Sequence, residues 1–146
     1  MKLGFVSAIL PDLTLEEVVA FAAESGYGCI EVMCWPKGKA ERRYAGVTHI
    51  DVESLDKAKA AEISKLMADT GLEISSLAYY PNIIGAEGKT RIALIDHLKK
   101  VIDAAVVLEV PIVGTFVGAD PAKYATENLE TFAKVWPPII RYAGER

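Results

Sequence analysis

Cysteine is scarce in this chain: two among 146 residues, Cys29 and Cys34. They share one apolar stretch, too close along an extended strand to bridge and on opposite faces of it, which argues against a disulfide or a thiolate metal pair and leaves both as core residues. Long apolar runs are missing too. None reaches the roughly 20 residues of a membrane span, and "MKLGFVSAILPDL" has neither the basic start nor the small-residue cleavage site of a signal peptide. A chain outside the membrane, in the cytoplasm, is the expectation. Positive charge is also thin. Sixteen Lys and Arg against twenty Asp and Glu give a net charge of −4, and without a dense basic stripe nucleic acid is not the expected partner, because phosphate contacts supply most of that affinity.

Several chemical signatures are absent as well. "LGFVSAILPDL" has neither G-x-G-x-x-G nor the Walker glycines and lysine, which removes the main support for an open nucleotide-binding sheet. There is no G-x-S-x-G elbow and no pair of histidines at helical spacing. Familiar hydrolase and zincin routes are closed.

What is present is a rhythm. Apolar runs suited to buried strands occur at Leu3 to Leu10, Cys29 to Trp35, Glu73 to Tyr80 and Val110 to Val117, each followed by helical periodicity. The first helix is marked by Thr14 as N-cap with Glu17 three residues on, and by an apolar face of Leu15, Val18, Val19 and Ala22. The second runs from about Asp56 to Thr70, with Ile63, Leu66 and Met67 inward and Gly71 free to adopt the left-handed closing conformation. A third carries Leu94, Leu98, Val101, Ile102 and Ala105 and stops near Glu109. The fourth starts near Thr126, should bury Leu129, Phe132, Ala133 and Trp136, and should bend at Pro137 and Pro138.

Strands and helices alternating with short returns require a parallel sheet with right-handed crossovers, hence an α/β class. Two architectures share the rhythm: an open doubly wound sheet, or part of a (β/α)8 barrel with its helices outside. In both, function sits at the C-terminal ends of the strands. The loops there are long and varied ("PKGKAERRYAGVTHIDVES", "PNIIGAEGKT", "GADPAKYATEN"), whereas those after the helices are minimal.

Candidate site residues follow from that placement. Strand alternation puts Glu31, Met33 and Trp35 on one face and Ile30, Val32 and Cys34 on the other. In a barrel Glu31 would point inward, where a charge needs a partner; a substrate-contacting role competes with a structural ion pair to a basic group. Trp35 closes the strand as a pocket wall. His49, in the loop that follows, is the better histidine for chemistry or substrate contact, while His97 beside Lys99 and Lys100 reads as solvated. Lys37, Lys39, Arg42 and Arg43 could together hold a phosphate or carboxylate, with a solvated loop as the alternative. Tyr79 or Tyr80, only one of which can face inward, would join Asn82, Thr115 and Phe116 in an apolar wall with a few polar groups, suited to a small polyol. No clustering of metal ligands is visible at the strand ends.

Taken together, "KLGFVSAILPDLTLEEVVAFAAESGY", "IEVMCWPKGKAERRYAGVTHIDV", "AYYPN", "HLKKVIDAAVVLEVPIVGTFVGADP" and "VWPPIIRYA" resemble the first half of a sugar phosphate isomerase/epimerase of the xylose-isomerase-like barrel superfamily. The resemblance covers nearly the whole chain and favours the barrel over the open sheet. It implies that residues 1–146 form four consecutive βα units, the N-terminal half of a (β/α)8 TIM barrel, in an enzyme using a divalent metal (Mn, Mg, Co or Zn) to move a proton between adjacent carbons of a sugar or sugar phosphate. It also implies that the metal ligands and catalytic carboxylates belong to strands five to eight. What carries over to this sequence is substrate contact alone, at Trp35, His49, Tyr79, Tyr80, Asn82 and Phe116. The family's DNA-repair branch is disfavoured, because its strand-three and strand-four histidines have no counterpart in "AYYPN" and "GTFVGAD".

A full barrel takes about 250 residues, so "WPPIIRYAGER" reads as a cut shortly before the strand expected to bring the first ligand. The expected consequences are inactivity of this chain alone, no metal held by it alone, and self-association through exposed barrel edges. A non-catalytic half-barrel, serving in binding or assembly, is the competing function.

Overall fold

The computed structural model describes residues 1–38 and 45–146. Four strands, β1 (Gly4–Val6), β2 (Cys29–Met33), β3 (Glu73–Ala78) and β4 (Val113–Gly114), alternate with four helices, α1 (Leu15–Glu24), α2 (Lys57–Thr70), α3 (Gly88–Val107) and α4 (Ala125–Gly144). The strands are all parallel and lie in chain order β1-β2-β3-β4. One core takes side chains from all four helices and from the strand positions Ile30, Val32, Cys34, Leu77 and Tyr79. The opposite sheet face carries a separate, smaller cluster of Ala8, Met33, Val47 and Ala78, with no residue of the four α-helices. All helices therefore cover one face. That excludes the doubly wound alternative and gives four βα units as half of a (β/α)8 barrel.

Local signals set the element ends much as the sequence suggests. Thr14 and Glu17 form the reciprocal capping box, at 2.7 and 3.3 Å, and Leu15, Val18, Val19 and Ala22 are buried. Asp56 caps α2, accepting from the Lys59 N–H, and Gly71 closes that helix at φ 70°. In α3 the closure falls on a residue that resists it. The Val110 N–H reaches the Ala105 carbonyl and the Glu109 N–H reaches that of Val106. This Schellman pair leaves Glu109, instead of a glycine, at φ 56°.

Two expectations need correction. The first strand ends at Val6, not Leu10, because Ser7–Ile9 turns into a 3-10 segment. Its cause is a buried bond: the turn brings the Ser7 Oγ to accept from the Met33 N–H at 3.0 Å. Helix α4 runs through Pro137 and Pro138. The carbonyls left without a donor belong to Ala133 and Lys134, which are exposed, so water can serve them. Leu129 and Ala133 are exposed instead of buried. Leu129 lines an open cavity with Ile84 and Val117, while Trp136 and Ile139 make the contact with the core.

The left-handed Glu109 yields a stability prediction. Glycine carries no Cβ penalty in that conformation, so Glu109→Gly should raise stability by about 0.5–1 kcal/mol. Urea unfolding followed by circular dichroism measures it, and an unchanged or lower midpoint would contradict the assignment.

Candidate functional site

Alternation along the strands sends Glu31 and Met33, Ser76 and Ala78, and Gly114 to the face without helices. The phase of β3 depends on an irregularity. Ile30 pairs with Ile74, but Glu31 pairs with Ser76, so one extra residue, Ser75, is accommodated between them. Ser75 turns aside to donate to the Ile30 carbonyl at 3.1 Å. The bulge re-aims the strand so that Ser76 comes level with Glu31.

Glu31 is the centre of what results. Its Oε2 accepts from the Ser76 hydroxyl at 2.7 Å and its Oε1 from the Tyr80 hydroxyl at 2.8 Å. Among the described residues both partners of Glu31 are neutral hydroxyls, where one alternative expected an ion pair with a basic group. Each carboxylate oxygen keeps acceptor capacity beyond these two bonds, directed to whatever lies on the open face. Tyr80 is pushed up to about 12, first by burial and then by the bond to Glu31 and its charge. At neutral pH its hydroxyl therefore holds its proton and donates it to the carboxylate.

Gly114 and Phe116 complete the wall from β4. A Cβ at position 114 would stand 2.5 Å from the Tyr80 hydroxyl and 3.3 Å from Glu31 Oε2, so only glycine leaves room for the pair. The Phe116 ring lies 4.6 Å from that of Tyr80, tilted by 42°, and is exposed. Carboxylate, hydroxyl and an open aromatic face thus occupy one patch on the inner side of β2, β3 and β4.

The other candidates are placed elsewhere. Tyr79 lies on the helix side, 1% exposed, edge-on to Trp35 at 4.8 Å and to His97 at 4.7 Å. Tyr80 is the inward member of the two. His97 is not solvated as expected but 5% exposed, with its Nε2 2.8 Å from the Cys34 carbonyl. The Tyr79 ring and the Cys34 carbonyl outweighed the flanking lysines. Trp35 packs against both clusters at the end of β2. There the following loop folds back over the strand, the Trp35 N–H donating to the Val47 carbonyl and the Thr48 hydroxyl to that of Trp35.

His49 lines a second cavity, of about 660 Å³, bordered by the start of α1 and by α2. Its Nε2 is 3.2 Å from the Leu10 carbonyl, so that nitrogen carries the proton, and its Nδ1 is buried without a partner among the described residues. Burial lowers its pKa, opposed by the carbonyls of Leu10 and Leu13. Asn82 ties two loops together: its Oδ1 accepts from the N–H groups of Gly85 and Ala119, both at 2.9 Å, and its Nδ2 donates to the Ala119 carbonyl at 2.8 Å. Of the four-cation loop, Lys37 pairs with Asp51 at 2.8 Å and holds that carboxyl down to about 2. Lys39, Arg42 and Arg43 lie outside the described residues. Cys29 and Cys34 are free thiols, and burial pushes Cys34 up to about 12, far from a reactive thiolate.

Sequence reasoning passed over Ser76 and Gly114. The signals were modest: a polar Ser-Ser pair inside an apolar strand, and a glycine in the middle of another, which marks close approach. Among the described residues, no three His, Cys, Asp or Glu side chains converge as metal ligands would, and no helix is long and apolar enough to cross a membrane.

Comparisons with known proteins agree with this geometry. Residues 19–146 match the family model described as the xylose isomerase-like TIM barrel. Among solved structures, the chain is similar to the probable 3-DHS dehydratase AsbF involved in petrobactin synthesis from Bacillus anthracis, at 18% identity and a TM-score of 0.70, covering 99% of this chain and 49% of that one. A D-psicose 3-epimerase in the presence of D-fructose gives 16% identity and 0.69, with 99% and 49% covered. A sugar phosphate isomerase/epimerase from Parabacteroides distasonis gives 19% and 0.56, with 99% and 46% covered. The chain thus spans about half the length of these structures, and at such identities the likeness is one of fold. No curated protein matches the sequence.

Two predictions test the site. In Glu31→Gln the charge that opposes Tyr80 ionisation is gone, so the Tyr80 transition, identified by its loss in Tyr80→Phe, should move down from about 12; ultraviolet absorbance titration reads it, and an unmoved transition would break the pairing. Gly118 has φ +82°, and a Cβ there would stand 2.1 Å from Asn82 Oδ1. Gly118→Ala should therefore cost roughly 1–3 kcal/mol in thermal or urea unfolding.

Proposed function

The chain belongs to the xylose isomerase-like TIM barrel family, and on that premise we propose that it supplies the substrate-binding wall of a sugar or sugar phosphate isomerase/epimerase. The observation that carries the reading is the inward patch of Glu31, Ser76, Tyr80, Gly114 and Phe116. A sugar has hydroxyls on its rim and C–H groups on its faces. Glu31, fixed by two donors, accepts from a sugar hydroxyl without having to reorganise, and Phe116 offers its ring to a C–H face. Two relatives in fold are named for sugar epimerisation or isomerisation, which supports the same substrate class.

The family resemblance implies a divalent metal, which when bound polarises the carbonyl and hydroxyl oxygens of the sugar. These residues do not fit it. No ligand set converges among the described residues, and the inward Glu31 stands with two hydroxyls and no second carboxylate or imidazole beside it among them. We therefore assign this chain to binding and orientation, and the metal to residues that complete the barrel. Within the patch Glu31 and Tyr80 hold the substrate; no proton step is assigned to them. Trp35 supports the rim, Asn82 fixes the two loops beside it, and His49 and Tyr79 pack behind the wall.

Nuclear magnetic resonance titration with a panel of ketohexoses and their phosphates tests the reading. Shifts should gather on Glu31, Ser76, Tyr80 and Phe116, and Phe116→Ala or Glu31→Gln should weaken binding about tenfold, or about 1.4 kcal/mol. Metal-stimulated turnover by the 146-residue chain alone would overturn the assignment to binding only. Silence across the whole panel would favour the non-catalytic half-barrel.

A further inference from the structure

The returning end of the long loop after β2 lies back along the strand it left. The Trp35 N–H donates to the Val47 carbonyl at 3.2 Å, the Thr48 hydroxyl to the Trp35 carbonyl at 2.6 Å, and the His49 N–H to the Met33 carbonyl at 3.0 Å. Cys34 and Thr48 face each other as an isolated antiparallel bridge. Residues 47–49 are thereby fixed to the last backbone groups of β2. The strand beneath them is held in turn, because the Met33 N–H donates to the Oγ of Ser7, which is fully buried. Farther out, Lys37, where the loop departs, pairs at 2.8 Å with Asp51, where it has returned.

This return carries Val47 onto the inner face of the sheet. There it packs with Ala8, Met33 and Ala78 and is only 8% exposed. A single methyl at each of the two alanines leaves depth above the sheet, and a branched side chain arriving from the loop fills it. Tyr80, the inward tyrosine, packs against the same cluster. From the β4 side Phe116 meets its ring at 4.6 Å. Gly114, nearest the hydroxyl, admits it by having no side chain and for that reason offers nothing to hold the ring. Restraint on Tyr80 therefore comes from Phe116 on one side and from the cluster that the loop completes on the other.

We propose that Val47 is a positioning residue of the Glu31 patch: held in place by the loop, it braces the Tyr80 ring so that the hydroxyl stays on the carboxylate. The bond it protects is the one at 2.8 Å from the Tyr80 hydroxyl to Glu31 Oε1. A ring turned away would leave that oxygen without this donor, and a carboxylate partly removed from water loses free energy with each donor that goes. The loop after β2, and not the sheet alone, thus decides whether the patch is assembled. The consequence for a sugar rests on the function proposed above; the bracing itself does not.

The test uses the 146-residue chain with no sugar added. Burial is the first cause that pushes Tyr80 up to about 12, so Val47→Ala should move its transition down toward the roughly 10 of a solvated tyrosine. Ultraviolet absorbance titration reads the movement, and loss of the transition in Tyr80→Phe identifies it. Val47→Ile keeps a branched side chain at the position and should keep the transition where it is. Val18→Ala is the control: it truncates a buried valine on the helix side, should lower the unfolding midpoint, and should leave Tyr80 unmoved. In the unsubstituted chain, nuclear Overhauser contacts between the Val47 methyls and the Tyr80 ring are expected, a reading that depends on no variant folding. An unmoved transition in Val47→Ala, an equal movement in Val47→Ile or Val18→Ala, or absence of those contacts would overturn the proposal. Silence in the sugar titration changes none of these outcomes, so the two readings fail separately.

Discussion

Four parallel strands carrying all their helices on one side leave a sheet with two unlike faces, and most else in the molecule follows from that. On the covered face Val18, Val19, Ile30, Val32, Leu77 and Val101 reach complete burial. At roughly 1.5–3 kcal/mol for each fully buried aliphatic side chain, this layer is what holds the fold against chain entropy. The other face has only a small cluster around Met33 and Ala78 and leaves Val6, Ile112 and Phe116 in water. It is there that a carboxylate can stand within reach of a ligand.

Glu31 shows how that face tolerates charge. A carboxylate partly removed from water needs donors, and the sheet supplies two, Ser76 from the neighbouring strand and Tyr80 from just beyond its end. Each donor in turn depends on a backbone feature: the extra residue at Ser75 brings Ser76 level with Glu31, and the missing side chain at Gly114 admits the Tyr80 hydroxyl. The site is thus built from register and from space as much as from functional groups. Its neutral donors also mean that the carboxylate keeps its charge toward the interior, where a cationic partner would have neutralised it.

Much of the fold was legible in the chain itself. The capping box at Thr14 and Glu17 and the glycine closing α2 act within a few residues, and both operate where the pattern placed them. Alternation separated Glu31 from Ile30 and Val32 correctly. Readings that depended on distant neighbours fared less well. His97 looked solvated because lysines flank it in sequence, yet its environment is set by Tyr79 and by the Cys34 carbonyl, 63 residues away. Leu129 fitted the apolar stripe of α4 but has no packed layer to cover it.

The sequence by itself determined the βα rhythm, the caps, the side of the sheet on which each strand residue falls and the resemblance to one barrel family. Those properties are local or periodic, and backbone geometry enforces them without reference to distant chain. Only the tertiary structure decided which hydroxyls satisfy Glu31, which tyrosine faces inward, and that Asn82 clamps two loops by contacts 37 residues apart. These depend on how strands slide past one another. A one-residue shift changes every neighbour across the sheet, and that shift is fixed by packing between segments, which periodicity along the chain does not record.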